Sequence, residues 1–109
     1  MKLGQRLLPV NDREVAYFQA SDKLVMLVTH EGRKYVVDYT LTELEGLLDP
    51  RQFFRLNRQF IASLDAISEL ESYFKGQVTV NLVPDPDGED QVVISRRRTP
   101  ELKSWLGQD

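Results

Sequence analysis

Six of the fourteen basic residues in this sequence lie in two ten-residue stretches, 51–60 and 91–100, that contain no carboxylate. The net charge of the whole chain is nevertheless −3. A surface of one sign on a molecule of the opposite net charge usually has an ionic partner. A guanidinium suits an anionic partner because its donors match two phosphate oxygens, or guanine O6 and N7, bidentately. The six residues are Arg51, Arg55, Arg58, Arg96, Arg97 and Arg98.

The acidic balance of the chain argues only mildly against a nucleic-acid partner. Four acids, Asp85, Asp87, Glu89 and Asp90, lie in one short segment. Without them the net charge changes from −3 to +1, so the sum over the chain hides the local field. The segment lacks the spacing and the closing glutamate of a calcium loop, and we expect a solvated hairpin tip.

The composition leaves little support for catalysis. The chain has no cysteine, which excludes disulfides, thiolate nucleophiles and zinc–thiolate sites and fits a reducing cytoplasm. His30 is the only histidine, and the six glycines are scattered singly rather than gathered in a phosphate-binding loop. We therefore expect no enzyme activity, no cofactor and no metal site.

The length and the hydropathy pattern predict one domain over residues 1–109 with a modest hydrophobic core. The longest apolar runs, four to six residues, are too short to cross a membrane. We expect no secretory signal at Met1-Lys2, because no apolar segment follows it. These features predict a cytoplasmic protein without a membrane partner.

The residues before the first helix predict a β-meander, because β-branched and aromatic segments alternate with short turns. Asn11-Asp12-Arg13 predicts a turn or a single helical turn, and Ser21-Asp22 and Glu31-Gly32 predict tight connections. Pro9 indicates that the first strand lies at an edge. The strands are predicted over residues 6–10, 15–20, 23–29 and 33–37.

Two short helices are predicted from their termini. Thr40 opens the first, since Glu43 three residues later completes a capping box, and Asp49-Pro50 ends it. Thr99 is predicted as the N-cap of the second, with Pro100 at its first helical position. The apolar faces are predicted to be Leu41, Leu44, Leu47 and Leu48 in the first helix and Leu102, Trp105 and Leu106 in the second.

Short strands separated by turns are predicted for the rest of the chain. Asn57-Arg58-Gln59 indicates a loop, residues 73–76 a turn, and residues 84–90 (PDPDGED) a hairpin turn. The strands are predicted over residues 53–56, 60–62, 66–70, 77–83 and 91–94, with 77–83 alternating as a half-buried strand does. The predicted fold class is therefore mainly β, with antiparallel strands in small packed sheets and one or two short helices.

This order of elements resembles the LytTR DNA-binding domain, the output module of many bacterial response regulators. The resemblance is carried by Phe53 to Ala62 (FFRLNRQFIA) and by Ile94 to Arg98 (ISRRR) at the expected separation. The strand ending in Tyr17-Phe18-Gln19-Ala20 is similar to a third element of the family. The similarity extends from about Val10 to Leu106, and it implies the elongated β-β-β arrangement of that family.

The resemblance implies that loops, rather than a recognition helix, enter successive major grooves on one face of double-stranded DNA. The loops are Ser21-Asp22-Lys23, Asn57-Arg58-Gln59 and Ser95 to Arg98. The implied base contacts are Arg58, Arg97 and Lys23. The implied backbone or supporting contacts are Arg55, Asn57, Gln59, Ser95, Arg96 and Arg98.

The same resemblance implies a role and partners in bacterial transcription control. The DNA would carry imperfect direct repeats in a promoter, bound by two copies of the domain as a homodimer on DNA. A receiver domain would be present in the full-length protein and would bring the two copies together when phosphorylated.

Departures from the family pattern support an alternative function. Leu24, Asn57, Gln59 and Ala62 stand where the family prefers an aromatic residue, histidine, serine and asparagine. The departures at Asn57, Gln59 and Ala62, together with the acidic net charge, support the alternative of a protein-interaction module of the same fold that has lost DNA binding. RNA is disfavoured, because no exposed aromatic pair is predicted on a strand with basic neighbours.

Several candidate residues have a structural alternative. Arg55 lies among aromatic residues, where its stem can pack and its charge can pair with a carboxylate. Asn57 could read adenine or bond the backbone, and Ser95 could donate to phosphate or cap the turn that aims Arg97. Tyr73-Phe74 could be exposed in a turn and contact a partner, but packing is the expectation. The predicted core residues are Leu44, Phe60, Ile61, Val80, Leu82 and Trp105.

Overall fold

The computed structural model of the protein describes residues 1–3, 6–86 and 91–107. The strands within these ranges are β1 Lys2–Leu3, β2 Arg6–Leu7, β3 Val15–Ser21, β4 Leu24–Thr29, β5 Lys34–Val37, β6 Phe53–Arg55, β7 Phe60–Ser63, β8 Ile67–Ser72, β9 Val78–Leu82 and β10 Val92–Ile94. The helices are α1 Leu41–Leu47 and α2 Thr99–Leu106, and single 3-10 turns cover Asp12–Glu14 and Leu64–Ala66. The predicted mainly β, antiparallel fold class is confirmed.

A five-stranded antiparallel sheet in the order β5-β4-β3-β7-β6 forms the centre of the fold. Its register pairs Phe18 with Ile61 and Tyr17 with Ala62, so each pair projects to one face. Phe18 and Ile61 belong to one buried cluster, and Tyr17 and Ala62 belong to the other. The sheet is therefore covered on both faces, which is why β3 and β7 are almost continuously apolar.

Different elements cover the two faces of the central sheet. One face packs against a three-stranded antiparallel sheet, β10-β9-β8, and against α2, with Val80, Ile94 and Leu102 in the shared core. The other face packs against α1 through Leu41 and Leu44. The six predicted core residues, Leu44, Phe60, Ile61, Val80, Leu82 and Trp105, are all buried.

The first helix begins as predicted. The Thr40 hydroxyl accepts a hydrogen bond from the Glu43 backbone N–H at 3.1 Å, and the Thr40 N–H donates to the Glu43 carboxylate at 2.9 Å. Leu47 was predicted on the apolar face, but 52% of it is exposed. It lies six residues, about one and two-thirds turns, after Leu41, so it points away from the core contact that Leu41 makes.

The second helix begins one residue away from the predicted position. Arg98 is the N-cap, and Thr99 is the first helical residue rather than the cap. The Thr99 hydroxyl donates to the Ser95 carbonyl at 2.9 Å, so it fastens the preceding turn instead of capping the helix. The predicted apolar face is confirmed, since Leu102 and Trp105 are buried and Leu106 packs against the same core.

Two predicted strands differ from the observed ones, because pairing with neighbouring segments determines their extent and burial. The predicted strand 6–10 is limited to β2, which pairs with the unpredicted β1. Burial along strand β9 does not simply alternate between buried and exposed residues. Thr79 is buried like its neighbours Val78 and Val80, because β9 is the middle strand and Thr79 is paired with residues on both β8 and β10. The predicted antiparallel pairing of residues 91–94 with the preceding strand is confirmed as β9–β10.

Two further observations concern the surface. Tyr73 and Phe74 were expected to pack, but 51% and 64% of their areas are exposed at the β8–β9 turn. Of the predicted hairpin turn 84–90, residues 87–90 lie outside the described residues, including the acids Asp87, Glu89 and Asp90. Within the described ranges, no helix is long and apolar enough to span a membrane.

Candidate nucleic-acid interface

The first two predicted loops adjoin each other at one end of the central sheet. Asp22, at the tip of the β3–β4 hairpin, has a φ of +54°, which folds the connection tightly. Strands β3 and β7 pair so that Gln19 lies opposite Phe60. Beyond this pair, the Ala20 N–H donates to the Gln59 carbonyl at 2.8 Å. The 21–23 hairpin and the 57–59 loop are therefore neighbours.

The third loop is joined to the second by hydrogen bonds between side chain and backbone. The Asn57 side-chain amide donates to the Val93 carbonyl on β10 at 3.0 Å. The Arg98 guanidinium donates to the Arg55 carbonyl at the end of β6. Residues 21–23, 57–59 and 95–98 consequently form one row across this end of the molecule, with the 57–59 loop in the middle.

The 57–59 loop is built on the Asn57 side chain. Its carbonyl oxygen accepts from the backbone N–H of Gln59 at 2.8 Å and from that of Phe60 at 3.0 Å. An asparagine that bonds the backbone two residues on forms a local turn, and here it holds Arg58 at the tip, exposed. Asn57 therefore has a structural role in this loop, since both the NH2 group and the oxygen of its side-chain amide are bonded to backbone groups.

The 95–98 loop is organised by Ser95. The Ser95 carbonyl accepts from the backbone N–H groups of Arg98 at 3.1 Å and Thr99 at 3.0 Å. Its hydroxyl also accepts from the Arg98 N–H, at 3.2 Å. Ser95 therefore caps the turn, and the turn leaves Arg96 and Arg97 exposed.

Among the residues that the structure describes, three of the six clustered arginines are paired with carboxylates. Arg55 lies 2.6 Å from the Glu45 carboxylate and has a side chain only 18% exposed. Arg98 lies 3.0 Å from Glu101, and Arg51 lies 3.4 Å from Asp49. The backbone N–H of Arg51 donates to the Asp49 carboxylate and, with the guanidinium, lowers the pKa of Asp49.

Arg55 and Arg98 also hold the loops through their other donors. The Arg55 Nε–H donates to the Asn57 carbonyl at 2.5 Å. The Arg98 guanidinium lies 4.8 Å from the centre of the Phe54 ring, which in turn lies 5.2 Å from Trp105. Their geometry is that of supports, because each guanidinium pairs with a carboxylate and donates to a backbone carbonyl.

The remaining cations of the row are exposed. Arg58, Arg96, Arg97 and Lys23 have no ion pair with any carboxylate among the residues that the structure describes. Arg96 is partly fixed by packing, since a Cβ atom placed on Gly76 would lie 2.9 Å from its Cγ. Exposed cations on a hydrogen-bonded frame can bind an anion without first breaking an internal ion pair.

Lys23 and Arg58 line a common groove of about 310 Å³. Thr40 and Thr42 at the start of α1 form another part of its wall. Asp22 lines the same groove, so one carboxylate shares it with the two cations. A neutral base edge meets less repulsion at such a place than a phosphate does.

Sequence reasoning missed the partners that hold the site. Glu45 was not predicted to pair with Arg55, and Val93 was not predicted to accept from Asn57. Neither contact has a local signal, since the residues are ten and thirty-six positions apart. The turn at Asn57 did have a local sequence signal, because asparagine before two polar residues is typical of a turn bonded by its side chain. Within the described ranges, no group of His, Cys, Asp or Glu could hold a metal ion.

Comparison with known proteins gives consistent matches. The family model described as LytTr DNA-binding domain matches residues 5–107. The heme-containing CO-sensing transcriptional regulator RcoM 2 of Paraburkholderia xenovorans is 34% identical over 102 residues, covering 94% of this chain and 37% of that protein. The transcriptional regulatory protein YpdB of Escherichia coli K12 is 30% identical over 98 residues, covering 90% of this chain and 38% of that protein.

Two further matches extend the similarity. The sensory transduction protein LytT of Bacillus subtilis is 28% identical over 106 residues, covering 97% of this chain and 42% of that protein. A solved LytTr DNA-binding domain from Bacillus cereus superposes with a TM-score of 0.75 at 24% identity, covering 98% of this chain and 94% of that one, which shows the shared fold. The chain spans about two fifths of the length of the curated relatives it matches. By its sequence over residues 5–107, this chain belongs to the LytTr DNA-binding domain family.

Proposed function

We propose that this domain binds double-stranded DNA sequence-specifically by inserting its row of loops into successive major grooves on one face of the duplex. The observation that carries the proposal is the sorting of the arginines. Arg58 and Arg97 are exposed and unpaired within the described residues, on loops that Asn57, Arg55 and Arg98 fasten together. Conformational order before binding lowers the entropy lost on complex formation.

The proposed base contacts are Arg58, Arg97 and Lys23. Each arginine can donate two parallel hydrogen bonds to guanine O6 and N7, a contact that contributes about 1–3 kcal/mol of discrimination. Lys23 is the third candidate, because it lines the same groove as Arg58 and lies beside Asp22, which disfavours phosphate. Arg96, with its guanidinium exposed next to Arg97, is the proposed phosphate contact of the third loop.

The molecule is long enough to reach two successive grooves along its longest axis. Its longest extent is 41 Å, whereas successive major grooves on one face of B-DNA are about 34 Å apart. The finer arrangement, two domains on imperfect direct repeats assisted by a receiver domain, is part of the proposal and rests on the family resemblance. It would make binding depend on parts of a longer protein.

The test is selection of bound duplexes from a randomised DNA pool. Wild type is run beside Arg58→Ala/Arg97→Ala and beside Arg13→Ala/Arg33→Ala, a control with the same change of charge. Arg13 and Arg33 adjoin the paired residues Val15 and Thr29, at the opposite end of the β3–β4 hairpin from Asp22. We expect wild type and the control to enrich the same motif and the Arg58/Arg97 variant to enrich none.

Two results would contradict the proposal. Enrichment of the same motif by the Arg58/Arg97 variant would remove these two residues from base recognition. A wild-type domain that enriches nothing at low salt, alone and as a fused tandem dimer, would favour a protein-interaction module instead. The fused dimer separates a domain that needs its second copy from one that has lost DNA binding.

A further inference from the structure

The row of loops continues into a fourth segment, residues 73–76, at the turn between β8 and β9. In the second sheet, Ile94 at the end of β10 lies opposite Val78 at the start of β9, and Val78 lies opposite Ser72 at the end of β8. The β8–β9 turn and the 95–98 loop therefore leave the sheet at the same end. Their contact is direct, because the Arg96 side chain packs where a Cβ atom of Gly76 would lie.

The side chains at this turn are unusual for a solvated hairpin tip. Tyr73 and Phe74 are both more than half exposed. Lys75 places its ammonium 5.2 Å from the centre of the Phe74 ring, close enough for a cation–π contact. The segment thus presents two aromatic rings and a cation beside Arg96 and extends the surface that we propose for DNA.

The backbone of the turn adds an independent observation. The Gln77 N–H donates to the Phe74 carbonyl at 3.2 Å, and the two residues between them, Lys75 and Gly76, have φ values of +53° and +83°. This is the geometry of a two-residue hairpin turn, in which asparagine or glycine is strongly preferred at the first position. Lysine is strained there, and strain at a surface position is a reason to look for a function of its side chain.

We propose that residues 73–76 form a fourth DNA contact, which binds the sugar–phosphate backbone next to the groove entered by Arg97. This inference rests on the proposed function. The Lys75 ammonium binds a phosphate, and the Tyr73 and Phe74 rings pack against deoxyribose rings of the same strand. The contact carries no base information, since it touches only the backbone.

The first test measures binding to the duplex that wild type selects, as a function of salt concentration. Lys75→Asn removes the charge but suits the positive φ, so the turn is kept. We expect a three- to tenfold lower affinity at low salt, a log–log salt slope flatter by about 0.9, and an unchanged base preference. Arg33→Gln, with the same change of charge at the opposite end of the central sheet, should leave both affinity and slope at the wild-type values.

The second test maps the aromatic contact. Hydroxyl-radical cleavage of the bound duplex should show protected sugars beside the Arg97 groove, and Tyr73→Ser/Phe74→Ser should lose that protection while the sugars protected by the other loops stay protected. Wild-type slope and wild-type protection in the two variants would overturn the fourth contact and leave the proposed function intact. A loss of affinity seen only on two-repeat duplexes, and not on a single repeat, would also overturn it, because the tip would then contact the second protein copy.

Absence of any duplex binding by wild type would instead overturn the proposed function, and the fourth contact with it. The two failures are therefore distinguishable in one set of measurements. Folding of each variant is checked by its denaturant midpoint, so that a loss of binding is compared only among folded proteins.

Discussion

The Asn57 side-chain amide donates to the Val93 carbonyl at 3.0 Å, which joins the middle loop of the row to the strand that ends at the third loop. The same side chain accepts two backbone hydrogen bonds from its own loop. One residue thus shapes the turn that presents Arg58 and sets its position relative to the turn that presents Arg97. The base contacts that we propose for both loops depend on that geometry, because bidentate hydrogen bonds tolerate little displacement.

Asn57→Asp should separate these two roles. The carboxylate can still accept from the N–H groups of Gln59 and Phe60, but it cannot donate to Val93 and would face its carbonyl oxygen. We expect a loss of about 1–3 kcal/mol in the free energy of unfolding, measured by urea denaturation, and weaker binding to the selected duplex. Asn81→Ala, which removes an exposed amide bonded to Glu69 and Glu71, should change stability by less than about 0.5 kcal/mol. Unchanged stability in Asn57→Asp would contradict the view that the hydrogen bond from the Asn57 amide to Val93 holds the two segments together.

Arg55→Ala should lower the stability of the domain, whereas Arg58→Ala should weaken its binding to DNA. Arg55 uses its guanidinium for Glu45 and for the Asn57 carbonyl, so its removal should lower the free energy of unfolding by about 1–3 kcal/mol. Arg58 makes no such contact within the described residues, so its removal should change stability by no more than about 0.5 kcal/mol. Its loss should instead cost about 1–3 kcal/mol of binding free energy and relax the preference at one base pair.

The Arg55 effect can be assigned to its ion pair by a double-mutant cycle with Glu45→Gln. We expect a coupling energy of roughly 1 kcal/mol, kept small by the exposure of Glu45 to solvent. An additive cycle would mean that the Asn57 carbonyl, rather than Glu45, is the important acceptor. Equal destabilisation by Arg55→Ala and Arg58→Ala would contradict the division between supports and readers.

The parts of the fold that sequence predicted correctly are those with a local physical signal. The capping box of Thr40 and Glu43 needs only residues three apart, and the Ser21-Asp22 connection needs only a turn between two β-branched segments. The apolar run at Phe60 to Ala62 indicated a strand, although its burial on both faces followed only from the packing of two layers. Leu47 shows the limit, since its apolar character predicted burial whereas its position on a short helix exposes it.

The candidate site divides in the same way. Residue type, loop position and the family resemblance together led to Arg58 and Arg97 as proposed base contacts, and whether DNA contacts them stays a prediction. Arg55 and Arg98 were expected to be backbone or supporting contacts, but the identity of the Arg55 partner, Glu45, depends on where the folded backbone places it. Pairing energies between distant residues appear only once the sheets have packed.

Tyr17 should make stability depend on pH in the alkaline range. Its hydroxyl donates to the Pro84 carbonyl at 2.8 Å, and burial, aided by the Asp85 carboxylate, raises the pKa of Tyr17 to about 12. An unfolded tyrosine loses its proton near pH 10, so between about pH 10 and 12 the unfolded state binds fewer protons than the folded state. The stability due to this residue is complete below about pH 10, and up to about 2 kcal/mol is lost as pH rises through that window.

Urea unfolding between pH 8 and 12 checks this prediction against Tyr17→Phe. The variant should lose about 1 kcal/mol at pH 8, through the hydrogen bond to Pro84, and should show a shallower decline between pH 10 and 12. Tyr73→Phe, at an exposed position, serves as the control and should follow wild type. If the free energy of unfolding declined equally with pH in wild type and in Tyr17→Phe, the assignment to Tyr17 would be wrong.

Gly76→Ala should disturb DNA binding through Arg96, and Gly32→Ala provides a matched control. Both glycines have positive φ values, +83° and +92°, so alanine at either position should cost about 1–2 kcal/mol of stability. A Cβ atom on Gly32 meets nothing within 4 Å, whereas one on Gly76 lies 2.9 Å from the Arg96 Cγ and 3.1 Å from its Cδ. Only Gly76→Ala should therefore move the Arg96 side chain and weaken binding to the selected duplex.

The mechanism of the Gly76 effect can be tested by adding Arg96→Ala. If Gly76→Ala acts by displacing Arg96, the double variant should bind DNA no more weakly than Arg96→Ala alone, because the displaced group is already absent. Affinities are compared by fluorescence anisotropy at a temperature where every variant is folded. Equal affinities of Gly76→Ala and Gly32→Ala would show that the β8–β9 turn does not position Arg96, since the backbone strain is shared and the close approach is not.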